Sequence, residues 1–543
     1  MTTSRRTFIA TGGTILTGAA ISRGSVRRRA DADLILRGGT VFDGTGADGR
    51  EMDVAIRGDR IVAIGASLPG AGHTEIDARG LAVAPGFVDI HSHGDASLAA
   101  DPRAESVIRQ GITTIAVGAD GSSRASGAVA DSFASMFAKI DRLHAAPNVA
   151  SMVGLGSVRE KVVGNGDRPA TPTELRSMVA MVERALVDGA CGASSGLEYT
   201  PGAFASREEL IALCLPLARR GLVYATHMRN EDDRLLDAIA ESIAVARGAQ
   251  CGLQISHLKT QGPRNWNKLQ PAFAQIEAAR ADGVDVMFDR YPYLAYATGL
   301  TNLFPVWSRD GGTKAFLARL DNPSVAPRIE TETRAKVDLI GGWDNVQITG
   351  VPSPADRDAE GKRLGAWAQS IGQPPYAALV QLLRRNHADV DMAGFAMSEE
   401  NLEKILRHPL GMVGTDGGAF AIDGPTRRGS PHPRGAGSFP RVLGRYVRER
   451  KILTLPDAIR KITSMPADRL RLADRGRLAA GLAADVVVFD PARIADTATF
   501  ERPFQYPVGL HIVIVNGRVV LRDGHRGRTH AGRALRASPN RTP

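Results

Sequence analysis

Short runs of apolar residues, each closed by a glycine, a polar turn or a charged residue, punctuate this chain of 543 residues. Near the N-terminus, Asp33 to Phe42 and Val54 to Ile64 are β-rich and interrupted by Gly38-Gly39 and Gly58-Asp59, the texture of hairpin strands. Ala484 to Asp490 and Ile512 to Leu521 repeat that texture near the other end. The pattern predicts one small β-sandwich assembled from residues 31–84 and 474–530. Between the two ends, apolar strand candidates alternate with helical stretches, as parallel βα units require. Eight such runs end near His93, Gly118, Gly154, Ser194, His227, His257, Asp289 and Asp416, which predicts an α/β fold with a (β/α)8 barrel over residues 85–473. The interval from Asp289 to Asp416 is too long for one connection, so an insertion around residues 300–400 is expected, with helices of its own and the place of a lid. A doubly wound open sheet is the competing architecture, but its Gly-rich phosphate turn after the first strand is missing.

Composition narrows the class. A chain with 43% hydrophobic and 5% aromatic residues has the make-up of a globular protein with more than one ordinary core. The formal charge of +10 points toward nucleic acid until it is located: residues 1–30 carry six Arg and no acid, and residues 524–543 carry five Arg and no acid. The body is close to neutral, the basic end with residues 531–543 reads as a solvated tail, and nucleic acid drops out as a partner. Ser4-Arg5-Arg6-Thr7-Phe8 precedes a weakly apolar run from Ile9 to Ile21. Within residues 1–30 this is the form of a twin-arginine signal, which implies the twin-arginine export machinery and a periplasmic or secreted location. No other apolar stretch approaches the roughly 18 residues of a membrane span. Cys191, Cys214 and Cys251 are odd in number and widely spaced; they imply no disulfide framework, and Cys191 and Cys251 read as small core residues.

Candidate chemistry begins at Val88-Asp89-Ile90-His91-Ser92-His93. Alternation along an extended chain puts both imidazoles on one side, where they can share a metal ion. His227, His257 and Asp416 fall at other predicted strand ends, on the rim where catalytic groups of such barrels collect. Imidazole nitrogens with a carboxylate suit Zn²⁺ or a similar divalent ion, and Asp416 beside it is placed to take a proton from water.

With these residues in hand the chain resembles the amidohydrolase superfamily, whose members share a metal-binding barrel and a small β-sandwich. Within it, the chain is most similar to the N-acyl-D-amino-acid deacylases, or D-aminoacylases. The segments that carry the likeness are Gly196-Leu197-Glu198-Tyr199-Thr200-Pro201-Gly202, Thr226-His227-Met228-Arg229-Asn230-Glu231, Ser256-His257-Leu258-Lys259, Asp289-Arg290-Tyr291-Pro292-Tyr293 and His432-Pro433-Arg434. The resemblance implies one metal position framed by His91, His93 and Asp416, and another by His227 and His257. Where relatives place a cysteine in a Gly-Asn-Cys-Gly turn, this chain reads Gly118-Ala119-Asp120-Gly121. Asp120 is then either a harder oxygen ligand or a plain turn residue, and Glu198 is the other carboxylate able to complete or bridge the site. One or two ions are expected. Lys259 and Arg434 are candidates for the carboxylate of an N-acyl amino acid, with Tyr199, Tyr291 and Arg229 as further substrate contacts; Ala297-Thr298 stands where many relatives have a small hydroxyl residue.

The implied reaction is metal-assisted amide hydrolysis with Asp416 as general base. Cyclic-amide hydrolysis of the hydantoinase or dihydroorotase kind, or removal of a residue from a dipeptide, uses the same metal core and stays open. A non-catalytic periplasmic binding protein built on the same barrel should have lost Asp416 or a histidine, and neither is lost.

Overall fold

A computed structural model describes residues 32–538 except 71, 127–130 and 528–529. The proposed signal in residues 1–30 lies outside the described residues. Eight parallel strands build the barrel: Phe87–Asp89, Ile112–Val117, a third split at Met152 into Asn148–Ser151 and Val153–Gly154, then Gly192–Gly196, Val223–His227, Gly252–Ile255, Val286–Arg290 and Gly411–Val413. Each pairs in parallel with the next, the first half of the third strand bonding the second strand and its second half the fourth. A parallel bridge between Ser92 and Gly417 brings the eighth strand back to the first, through Asp416 N–H to His91 O (2.8 Å) and His93 N–H to Gly417 O (2.9 Å). Seven of the eight expected strand ends thus fall within about three residues of an assigned end, and His93 lies four residues past Asp89, the end of its strand.

Intervening helices begin and end for local reasons. In Pro172–Asp188, Thr171 and Glu174 form a reciprocal capping box, proline opens the first turn, and Gly189 closes the helix in the left-handed region at φ 113°. The helix lays Met178, Val182, Ala185 and Leu186 on the barrel. Inside the barrel, Val88, Ile90, Ala116, Ala150, Met152, Ala225 and Met412 form the packed interior. Cys191 is part of it, and all three cysteines are buried and free.

Strands from both chain ends form one continuous sheet of nine, in which Ala82–Pro85 pairs with Val486–Phe489. The small domain is therefore a single hydrogen-bonded sheet rather than two separate ones. Leu36, Val54 and Ile56 from its first part share a core with Val486, Val488 and Ile514 from its last, which keeps the sandwich-like packing. Asp485 fastens it to the barrel: its carboxylate accepts from Arg475 Nη1 (2.5 Å) and from Asn148 Nδ2 on the third strand (2.9 Å).

Two expectations are corrected. The insertion carries a three-stranded antiparallel sheet as well as helices, with Asp391–Phe395 central between Ala295–Gly299 and Val346–Gly350. Its core includes Phe304, Ile329, Ile348, Trp367, Leu379 and Met392, so it folds around its own apolar centre. The tail is the second correction. Residues 532–538 are not a solvated end: Val149 N–H donates to Arg533 O, Leu535 N–H donates to Val149 O, and Leu535 is buried in the barrel-interior cluster. Charge counting saw the arginines and missed the single leucine, whose burial decides the placement. Ending the chain at Ala531 should cost on the order of 2–4 kcal/mol, the worth of one buried leucine and its backbone hydrogen bonds. The readout is the urea midpoint of unfolding, and an unchanged midpoint would restore the solvated tail.

Candidate metal centre and active site

The barrel delivers its polar residues to one end. Asp120 follows the second strand in Gly118-Ala119-Asp120-Gly121, with Gly118, Asp120 and Gly121 all in the left-handed region at φ 74°, 51° and 78°. Only glycine suits the flanks, because a Cβ on Gly118 would meet Met152 O at 2.2 Å and one on Gly121 would meet Gly196 N at 2.6 Å. Aspartate tolerates this conformation better than most residues. The turn is wedged between strands three and four, and it aims the carboxylate inward.

Four imidazoles surround that carboxylate. Asp120 Oδ2 lies 3.3 Å from His91 Nε2, 3.4 Å from His93 Nε2, 3.5 Å from His257 Nε2 and 3.9 Å from His227 Nδ1. Asp416 Oδ1 lies 3.0 Å from His93 Nε2 and 3.4 Å from His91 Nε2. Among the described residues three groups of metal-binding geometry result, and Asp120 belongs to two of them, His91-His93-Asp120-Asp416 and Asp120-His227-His257; the third is Glu198-His227-Glu231. His257 and Asp416 also hold positive φ, 36° and 50°, a concentration of backbone strain that is typical of functional sites.

Electrostatics fit a cation. Burial opposes ionisation of Asp120, yet His91 and His257 hold its carboxyl well below the ordinary range. Asp416 is likewise held low against burial, by Arg434, His91 and His257. Burial lowers His93, but Asp120 and Asp416 outweigh it and bring the ring up to about 9. Asp120 Oδ1 is buried with no hydrogen-bond partner, an acceptor left for a ligand that the protein does not supply. Nitrogen and oxygen donors of this type suit a divalent ion such as zinc.

A second layer, which sequence reasoning did not assign, orients these ligands. His91 Nδ1 lies 3.3 Å from Asp289 Oδ1, which also accepts from His257 N–H at 2.9 Å. Glu231 Oε1 lies 3.0 Å from His257 Nδ1 and accepts from Lys259 Nζ at 2.5 Å, while Gln261 donates to its other oxygen at 2.8 Å. Carboxylates behind metal-binding histidines fix ring orientation. Both were in plain view, Asp289 at a strand end and Glu231 four residues after His227, but pairwise contacts across strands leave no spacing signal.

The substrate candidates divide. Arg434 Nη1 donates to Asp416 Oδ2 (2.7 Å), and Lys259 is buried between Glu231 and His257. Tyr199 and Tyr291 line the same cavity of about 680 Å³ as the metal-binding groups, Tyr199 donating nothing but accepting from Thr298 Oγ1 (3.2 Å) and Tyr291 with an unpartnered hydroxyl. Glu198 lies away from Asp120: its Oε2 lies 3.5 Å from His227 Nε2, accepts from Asn302 Nδ2 at 3.1 Å, and with His227 and Glu231 makes a third group of metal-binding geometry. Lys336 and His227 outweigh burial and take it down to about 2. Arg229 is a correction. It pairs with Glu241 (2.9 Å), donates to the carbonyls of Ala203 and Ala205, and lines a different groove, so it braces the loop after the fifth strand.

Comparison with known proteins agrees with this geometry. The amidohydrolase family matches residues 396–521. The chain is 36% identical over 520 residues to D-aminoacylase of Alcaligenes xylosoxydans xylosoxydans, covering 93% of this chain and 97% of that one. It is 37% identical over 506 residues to N-acyl-D-glutamate deacylase of the same organism, with 90% and 93% covered. The crystal structure of N-acyl-D-glutamate deacylase from Bordetella bronchiseptica, complexed with zinc and a phosphonate mimic of the tetrahedral intermediate, matches with a TM-score of 0.79 at 34% identity, covering 93% of this chain and all of that one. With four imidazoles and two carboxylates gathered at one end of its barrel and this likeness running through nearly its whole length, the chain belongs to the D-aminoacylase family of amidohydrolases.

Proposed function

We propose that this protein hydrolyses the amide bond of N-acyl-D-amino acids, giving a carboxylate and a free D-amino acid. The observation that carries the reading is the convergence of His93, Asp120, His227, His257 and Asp416 on one cavity, with His91 grouped behind them and Lys259 and Arg434 among the lining residues. Relatives 36% and 37% identical are a D-aminoacylase and an N-acyl-D-glutamate deacylase, which supports a linear amide and the D configuration over a cyclic amide or a dipeptide.

His91, His93, Asp120 and Asp416 would hold one divalent ion, and Asp120, His227 and His257 another. Zinc held there supplies Lewis acidity toward water and toward an amide carbonyl. Asp416 does the proton work. Arg434 occupies its Oδ2, which keeps the group ionised and leaves Oδ1 on the side of His91 and His93. That oxygen takes the proton of the attacking water and returns it to the amide nitrogen, which otherwise departs as an anion too basic to leave. Arg434 spends Nη1 on Asp416 and Nη2 on Ala297 O, so guanidinium protons remain for a substrate carboxylate. The third ammonium proton of Lys259 and the free Tyr291 hydroxyl can meet the same group.

Export by the twin-arginine route belongs to the same proposal, on the strength of Arg5-Arg6 and the apolar run behind them. Replacing both arginines by lysine should leave active protein in the cytoplasm; normal activity outside it would refute the assignment.

The function is tested with purified, zinc-supplied protein and a panel of N-acetyl D- and L-amino acids beside hydantoin and dihydroorotate, following amine release. Asp416→Asn should lower turnover of the accepted substrates by about 10² to 10⁴-fold with fold and most bound metal kept; turnover within a few-fold of the parent removes Asp416 from the reaction. Asp120→Ala should lose one metal or bind it far more weakly by elemental analysis, and Asp120→Cys should regain it with a stronger preference for zinc, since thiolate is the softer donor. Unchanged metal content and affinity in Asp120→Ala would reduce Asp120 to a turn residue.

A further inference from the structure

The cavity beside the metal-binding groups is lined by Gln261 and Tyr296, 2% and 4% exposed. Among the described residues Gln261 Oε1 and the Tyr296 hydroxyl have no hydrogen-bond partner, a costly state for buried polar groups and one that a ligand relieves. The Gln261 amide is oriented by its other end. Its Nε2 donates to Glu231 Oε2 at 2.8 Å, and since an ionised carboxylate only accepts, Oε1 is the atom left over, an acceptor in need of a donor. The Tyr296 hydroxyl can donate as well as accept, and burial raises it above the ordinary range, so its proton stays on.

Both groups sit at the seam between barrel and insertion. Gly262 N–H donates to Ala396 O (2.9 Å), which docks the loop carrying Gln261 at the end of the insertion's central strand. Two residues before Ala396, Gly394 pairs with Tyr296 and lies against its ring; a Cβ there would come 2.4 Å from Tyr296 Cζ. The ring keeps its place because that position is glycine. Thr298, two residues along and on the same face of the sheet, donates to the Tyr199 hydroxyl (3.2 Å), whose ring stands 4.7 Å from that of His227, so this face looks toward the metal-binding end. Charge around the seam is already matched: Lys259 donates to Glu231 at 2.5 Å, and Lys336 offsets Glu198.

We propose that Gln261 and Tyr296 form a subsite for an uncharged side chain ending in a primary carboxamide, so that the preferred substrates are N-acyl derivatives of D-amino acids of the glutamine and asparagine type. This rests on the reading of the protein as an N-acyl-D-amino-acid hydrolase. The amide N–H donates to Gln261 Oε1 while the amide carbonyl accepts from Tyr296, which satisfies both leftover atoms at once. A carboxylate brings only acceptors against Gln261 Oε1, and a thioether or alkyl chain leaves both atoms unpaired.

The test compares N-acetyl-D-glutamine with N-acetyl-D-methionine, of similar length without the amide, and with N-acetyl-D-glutamate, of the same shape with a charge. In the zinc-loaded parent, kcat/KM should favour glutamine over each by about tenfold or more, the size expected of a pair of buried hydrogen bonds. Tyr296→Phe removes only the hydroxyl and should lower the glutamine-to-methionine ratio; Tyr296→Phe combined with Gln261→Met should bring it close to unity. These are ratios within one preparation, so a loss of folded protein does not change them. Equal kcat/KM for glutamine and either comparison compound in the parent, or a glutamine preference that survives in the double variant, overturns the proposal. Calorimetric titration of the same compounds separates this inference from the function it rests on. If none is hydrolysed, the hydrolase reading fails. Tighter binding of the glutamine compound by the parent but not by the double variant would then still uphold the carboxamide subsite, and equal binding would overturn it.

Discussion

One buried carboxylate joins the two halves of the site. Asp120 Oδ2 stands 3.3 to 3.9 Å from nitrogens of His91, His93, His257 and His227, and it links the four-ligand group to the group that holds His227 and His257. Such crowding of acceptors and rings is costly to assemble without a cation among them. The fold meets that cost through a strained turn held by backbone on both sides, and through Asp289 and Glu231, which brace the histidines from behind. The second strand, its glycines and the neighbouring strands therefore have one shared task, which is to present a carboxylate at a fixed point.

Catalytic groups come from the barrel, while much of the cavity wall comes from the insertion. The insertion is fastened beside the site by buried polar contacts: Lys336 Nζ donates to Asp232 Oδ2 at 2.6 Å, Asn302 donates to Glu198 Oε2, and Arg309 Nη2 donates to Glu198 O at 2.9 Å. Glu198, expected as a ligand, is thus the point where insertion and barrel meet behind His227.

The barrel and most of its ligands were legible because parallel strands buried on both faces are written as continuous apolar runs, and a polar residue at the end of such a run stands out. His91, His93, His227, His257 and Asp416 were found in that way. Asp120 was visible through resemblance, because a Gly-Ala-Asp-Gly turn by itself has an ordinary structural explanation. Arg229 was placed at the substrate by resemblance, and its pairing with Glu241 is a side-chain contact that no motif spells out; the tail was misread because its charge was counted while the burial of Leu535 lies in a contact between segments far apart in the chain. The sheet within the insertion was missed because its strands are short, glycine-containing and separated by helices.

The most direct test of the central role of Asp120 is a zinc-loaded crystal structure with anomalous data collected at the zinc edge. The account predicts an Asp120 carboxylate oxygen within about 2.0–2.2 Å of zinc, in a group shared with His227 Nδ1 and His257 Nε2. Zinc held by the histidines and Asp416 with the Asp120 carboxylate outside bonding distance would contradict it.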